Sequence, residues 1–388
     1  MPTPQATGGY SVLPPLSLYI HFPWCVQKCP YCDFNSHAIK AGMPELAYVD
    51  AVLADLDADI GRFAIDRPVE SIFIGGGTPS LMSPDALARL LAGVSRRLRL
   101  RDDCEITLEA NPATVEAAKF KAFRQLGVNR LSMGVQSFNA RHLHALGRIH
   151  SSDEAIAAVA MARESGFDNI NLDLMFGLPG QRIDDALADV ETALSLSPGH
   201  VSFYQLTLEP NTWFYRFPPK LPTDDTIFAT QKACQQRWAA AGFQQYEVSA
   251  YARSGLRCRH NLNYWQFGDY LGIGAGAHGK ITLSLPAGIV RTAKARHPEA
   301  YLRGESVAKY DAIDVAQLPL EFVMNHLRLR EGFAVGAFER LTGLDANHLQ
   351  PALADCLSQG LLLMDDGVVR CSERGWDFLD AILEKFVP

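Results

Sequence analysis

Six short apolar runs, each rich in β-branched or aromatic residues and each followed by an amphipathic stretch, limit most strongly how this chain folds. They are LSLYIHF (around 17–22), ESIFIGG (70–76), EITLEA (105–110), RLSMGV (130–135), INLDLMFGL (170–178) and VSFYQLTL (201–208). Between them lie helical patterns such as SPDALARLLAGVSRRL, SSDEAIAAVAMARESG and RIDDALADVETALSL. Ser83 ahead of a proline, and Ser151 ahead of two acids, predict N-caps; Gly127 and Gly166 fall where a left-handed C-cap is wanted. A further helix (223–241) and the run YEVSAYA (246–252) continue the alternation. Strand–helix alternation implies a parallel sheet with crossover helices, so the class is α/β. The polar exceptions decide between an open doubly wound sheet and a TIM-like β/α barrel. A cysteine loop, GGGTPS, Glu109, Gln136 and Asp173 all fall in or just after a predicted strand, and such a ring of strand ends favours a full or partial parallel β/α barrel.

Residues 1–14 read as a flexible N-terminus, 15–280 as the barrel core, 281–309 as a linker, and 310–388 as a small C-terminal α+β unit. In that last unit, helical segments (316–328, 333–341, 345–358) precede LLLMDDGVVRC and a final helix, ERGWDFLDAILEKF. Asp365-Asp366-Gly367 predicts a hairpin turn, and the whole resembles a winged helix. Its 13 acidic and 6 basic side chains account for the entire net charge of −7, which argues against binding nucleic acid. The first residues carry neither the basic nor the apolar region of a secretory signal. No apolar run approaches the length of a membrane span. The expected setting is the cytoplasm, with peripheral membrane contact left open. There, clustered cysteines point to metal or redox chemistry rather than disulfides.

Three of the eight cysteines fall within HFPWCVQKCPYCDF, at Cys25, Cys29 and Cys32. Structural zinc is held by four ligands, commonly as two spaced pairs; here one loop supplies three, and His21 or His37 would have to complete the set. Iron–sulfur clusters normally take four cysteines. Three thiolates therefore leave one iron of a 4Fe-4S cube open to another ligand.

The spacing Cys25-x-x-x-Cys29-x-x-Cys32, with Tyr31 inside it, resembles the radical S-adenosylmethionine (SAM) superfamily. The resemblance implies that the open iron takes the amino and carboxylate groups of S-adenosyl-L-methionine. Within the superfamily, Tyr19-x-His21-x-Pro23-Trp24-Cys25 is similar to the oxygen-independent coproporphyrinogen III oxidase branch, and the match runs from Tyr19 to about Gly279. By resemblance, the cofactor would be held by Tyr19, Tyr31, the Gly76-Gly77-Thr78 segment, Glu109, Gln136, Arg148 and Asp173. Glycine N–H groups suit the polar end of a ligand, carboxylates suit ribose hydroxyls and a sulfonium, and an arginine suits a carboxylate.

Two features point away from the oxidase. Phe34 stands where those enzymes carry a further cysteine, and only eighteen residues precede Tyr19. The segment His260-Asn261-Leu262-Asn263-Tyr264-Trp265 resembles HNxxYW, the signature of the HemW-type haem chaperones. That resemblance implies haem as cargo, haem-acceptor proteins as partners, and an electron donor such as flavodoxin or ferredoxin. His260 is the expected haem-associated residue, with Tyr264 and Trp265 as flat apolar faces; His278 is a weaker candidate. The alternatives are a radical enzyme that decarboxylates coproporphyrinogen III and a zinc-stabilised regulator.

Overall fold

The structure, a computed structural model, describes residues 10, 12–39, 42–114, 116–284, 287–305 and 307–388. Most of the expected flexible N-terminus, residues 1–9 and 11, lies outside them. Its end is fixed: the Tyr10 hydroxyl donates to the Thr342 carbonyl and Asp269 N–H to the Pro15 carbonyl.

All six predicted strands form, as β1 (Leu16–Phe22), β2 (Val69–Gly76), β3 (Leu100–Ala110), β4 (Arg130–Gln136), β5 (Asn169–Phe176) and β6 (His200–Gln205). They pair in parallel in sequence order. Helices run between them, at Glu45–Phe63, Pro84–Arg97, Ala117–Gln125, Ser152–Glu164 and Ile183–Ser195. The predicted caps hold. Ser83 accepts from Ala86 N–H, Ser151 and Glu154 form a reciprocal capping box, and Gly127 and Gly166 take positive φ.

After Asp224–Ala240, the YEVSAYA run divides into β7 (Gln244–Glu247) and β8 (Ala250–Ala252), an antiparallel pair laid on the β6 edge. Strand β9 (Asp269–Ile273) returns to pair in parallel with β1 on the other side. Residues 281–309, expected as linker, do not run free. Strands β10 (His278–Ser284), β11 (Ala287–Lys294) and β12 (Val307–Ala312) extend the sheet as antiparallel neighbours. Buried Lys280 and Lys294 pin these strands, bonded to Asp269 and to the Asp55–Asp59 pair of the first helix. The sheet runs β12-β11-β10-β9-β1-β2-β3-β4-β5-β6-β8-β7, an open, partial barrel.

The two faces of the parallel strands differ. One carries Leu18, Ile20, Ile72, Ile74, Leu108, Leu131, Leu172 and Val201, all buried against the helices. The alternate residues point into the concave side, as strand pleating requires. They include Ser17, Ser71, Glu105, Arg130, Asn171 and His200, which are buried too. Buried polar groups need hydrogen-bond partners, and most of these find them in one another, Arg130 Nε being left without one. Asn171 bonds Ser132, Asp173 and His200, and His200 also bonds the Tyr246 hydroxyl.

The C-terminal unit has its own core around Phe322, Phe338, Leu353 and Val369, joined to the barrel through Phe267 and Ile289. Its hairpin turns at Asp366 and Gly367, both at positive φ, as the sequence predicts. Phe333–Ala334 adds a third strand, completing a winged-helix-like arrangement.

Candidate functional site

The C-terminal ends of β1 to β6 converge on one cavity of about 420 Å³. Cys25, Cys29, Tyr31 and Cys32 line one side; Gly76, Gly77, Thr78, Glu109, Gln136, Arg148 and Asp173 line the rest. Of the residues assigned to the cofactor by resemblance, only Tyr19 is not part of the lining. Its hydroxyl donates to His21 Nδ1 at 2.9 Å.

The cysteine loop is tied down by backbone bonds. Gly77 and Thr78 N–H donate to the Phe22 and Trp24 carbonyls, both at 2.7 Å. That close approach explains the glycines: a Cβ on Gly77 would sit 2.3 Å from the Trp24 oxygen, and one on Gly76 would sit 2.5 Å from the His21 ring. It also corrects an expectation. The N–H groups of this segment do not cradle a ligand, because Gly76 N–H donates to Glu109 Oε2 and the next two hold the loop.

His21 is a neutral strut rather than a metal ligand. Its Nε2 bonds the Asn35 carbonyl at 2.9 Å, its Nδ1 takes the Tyr19 hydroxyl, and burial lowers its pKa to about 4. Among the described residues, no three His, Cys, Asp or Glu side chains close on a single ion. Thiols that share a cavity without meeting at one point suit a cube, where each takes a separate iron. A zinc ion would draw them to about 2.3 Å from one centre. Burial pushes the Cys25 thiol up to about 11 and raises that of Cys32, so the ionised thiolates need a compensating positive charge.

Opposite the thiols, burial and the neighbouring charge of Asp173 push the Glu109 carboxyl up to about 7, against the pull of Gly76 N–H. Burial also raises Asp173, although Asn171 and Ser132 donate to it at 2.8 and 3.2 Å. Arg148 donates to the Gly134 carbonyl and points Nη1 at Cys29 Sγ, 3.7 Å away, while its buried Nε has no partner. Two costly carboxylates facing an under-used guanidinium fit a ligand with a cationic centre, hydroxyls and a carboxylate. Gln136 sits at φ 71° on the strand end, held by the Tyr204 hydroxyl at 2.7 Å. Tyr204, Ser132 and Met175 also line the cavity and were not singled out from sequence. The signal available for them was the strand period, which puts them on the same face as Asp173 and Gly134.

The HNLNYW segment lies elsewhere. It forms the short helix Arg259–Trp265, packed inside the sheet against β1, β2 and β9. His260 is 1% exposed; its Nδ1 bonds Ser71 Oγ at 3.1 Å and its Nε2 the Tyr264 hydroxyl at 2.8 Å. Glu105 Oε1 accepts from the N–H groups of both Arg259 and His260. Tyr264 leans on Tyr270, with ring centroids 4.2 Å apart, and Trp265 lies under the Arg328 guanidinium at 4.3 Å. His260 therefore presents no free ring nitrogen, and Tyr264 and Trp265 are engaged by the barrel and the C-terminal unit. Ser71 lies four residues below Gly75 on the same strand face, roughly 13 Å at strand rise, so this floor is separate from the cavity. His278 is exposed at the start of β10.

Comparison with known proteins places these features in context. The Radical SAM superfamily model matches residues 19–193 and the HemN C-terminal domain model residues 313–378. Haem chaperone HemW of Haemophilus influenzae is 50% identical over 379 residues, covering 97% of this chain and 98% of its own. HemW of Escherichia coli is 50% identical over 376 residues, covering 97% and 99%. The mitochondrial radical S-adenosyl methionine domain-containing protein 1 of Mus musculus is 36% identical, covering 96% and 87%. Among solved structures, Escherichia coli coproporphyrinogen III oxidase (HemN) superposes with a TM-score of 0.81 at 22% identity, over 96% of this chain and 90% of that one. The last likeness shows a shared fold.

Proposed function

The chain belongs to the HemW family of the radical SAM superfamily, and from that premise we propose that it carries haem to acceptor proteins while holding a 4Fe-4S cluster and S-adenosyl-L-methionine. The observation that carries the cofactor part is the single cavity uniting three thiols, two buried carboxylates and Arg148. The haem part rests on the near-full-length likeness to proteins named haem chaperones.

A bound cluster would supply one-electron chemistry and an open iron. Cys25, Cys29 and Cys32 would hold it, with Arg148 offsetting the thiolate charge near Cys29. The unpaired Nε of Arg148 is available to a carboxylate, and Glu109 and Asp173 to hydroxyls or a sulfonium. His21 and the glycine segment hold the loop against β2, keeping the thiols in place. An electron donor such as flavodoxin or ferredoxin and a cytoplasmic setting complete the proposal. Among the described residues, no helix is long and apolar enough to cross a membrane.

The test is anaerobic reconstitution followed by haem titration and transfer to an apo-acceptor. Micromolar haem uptake and handover are expected; a protein that takes up no haem refutes the carrier role. Formation of protoporphyrinogen from coproporphyrinogen III would instead establish the oxidase.

A further inference from the structure

We infer that haem docks on an exposed aromatic platform beside the cavity mouth, formed by Trp213, Tyr215 and Phe217, rather than on the HNLNYW segment. The inference deepens the proposed function and rests on it. These three side chains are 61%, 57% and 49% exposed, within five residues of one another. Large aromatics are costly to leave in water, and such a concentration marks a binding surface.

The platform is rigidly mounted. Thr212 caps the short helix Trp213–Arg216 by accepting from Tyr215 N–H. Phe214, the inward-facing residue of the same helix, donates its N–H to the Pro30 carbonyl of the cysteine loop and packs with Tyr31 and Leu206, both of the cavity wall. The anchored side is thus continuous with the cavity, while Trp213, Tyr215 and Phe217 stay exposed. Trp213 and Phe217 lie with ring centroids 4.3 Å apart.

The surroundings select the occupant. Arg216 stands over the Phe217 ring at 5.4 Å, and exposed Lys220 follows in the same segment. Exposed aromatic rings, two of them tilted 42° to one another, with a cation over one ring and a second later in the segment, suit a porphyrin, which has a broad apolar face and two carboxylates on one edge. His260, by contrast, has both ring nitrogens bonded and almost no exposed surface.

The experiment is a haemin titration of the reconstituted full chain, read by the Soret band. It compares wild type with a combined Trp213→Ser, Tyr215→Ser, Phe217→Ser variant, and with Phe378→Ser, which alters an exposed aromatic of the C-terminal unit. Phe214 is left in place, so the melting temperature is expected to hold. The triple variant is expected to bind haemin roughly tenfold or more weakly, while Phe378→Ser stays near wild type. Arg216→Gln combined with Lys220→Gln is expected to weaken haemin but not haemin dimethyl ester. A triple variant that binds as wild type overturns the placement and leaves the carrier role standing. So does one that keeps haemin but loses reduction by a donor protein, which would make the platform a protein-docking face. A wild type that takes up no haemin removes the carrier role and the platform together.

Discussion

The two ends of the barrel interior are built from similar residue types and do opposite things. At the mouth, the Glu109 and Asp173 carboxyls are held above their ordinary pKa and Arg148 keeps an unpartnered Nε, around a cavity of about 420 Å³. At the floor, Glu105, Ser71 and His260 bond to each other and to backbone amides. The mouth keeps unmet polar demand that a ligand can fill. The floor meets most of its polar demand internally, Arg130 Nε and Thr107 Oγ1 excepted, and this fixes the helix Arg259–Trp265 and, through Trp265 and Arg328, the C-terminal unit. His260, although inside a family signature, spends both ring nitrogens on this internal network.

The sharpest way to break this contrast is to substitute one residue at each end. Cys29→Ser is expected to abolish nearly all iron and sulfide after reconstitution, with little change in melting temperature. His260→Ala is expected to retain the cluster but lose about 2–4 kcal/mol of stability in a denaturant titration, through a new void and a stranded Tyr264 hydroxyl, Ser71 keeping its bond to Ser17. If His260→Ala instead abolished haem uptake at unchanged stability, the floor would be a binding site after all.

Next in size is a pH effect at the mouth. Glu109 has a folded-state pKa of about 7 against an ordinary 4.5. Between those values the folded protein holds a proton that the unfolded chain has released. Stability of the ligand-free protein should therefore be greatest below pH 4.5, as far as this group is concerned, and fall as pH rises through 7. Glu109→Gln should remove that slope, raise ligand-free stability by about 1–2 kcal/mol at pH 8, and weaken S-adenosylmethionine binding by roughly tenfold or more. Melting curves across pH and calorimetric titration check the two halves.

The smallest expected effect is that of Phe34→Cys, which restores the further cysteine of the oxidase pattern. Phe34 is 59% exposed at the cavity rim. The substitution is expected to leave iron content unchanged and to produce no protoporphyrinogen in an anaerobic assay. Gain of that activity would show that one thiol separates the two roles.

Much of this architecture was legible. The six parallel strands were found because one face of each is continuously apolar, and the cap residues marked their helices. Strands β9 to β12 were missed, although Ile281-Thr282-Leu283 alternates as a strand does. Lys280 and Lys294 broke the apolar pattern there, and only buried carboxylates, Asp269 on the neighbouring strand and Asp55 on the first helix, make those lysines tolerable inside. The cysteines and Glu109, Gln136, Arg148 and Asp173 were reached through motif likeness, and the fold brings them to one cavity. Tyr204 and Ser132 carried no motif.

The amino-acid order alone determined the α/β class, the helix ends and the three-thiol loop, because periodicity, capping and ligand spacing are local properties of a chain. Which polar side chains remain unsatisfied is a different matter. It depends on which strand ends meet and what packs beneath them, so only tertiary structure separated the cavity residues from the equally polar residues of the floor, which bond mostly to one another.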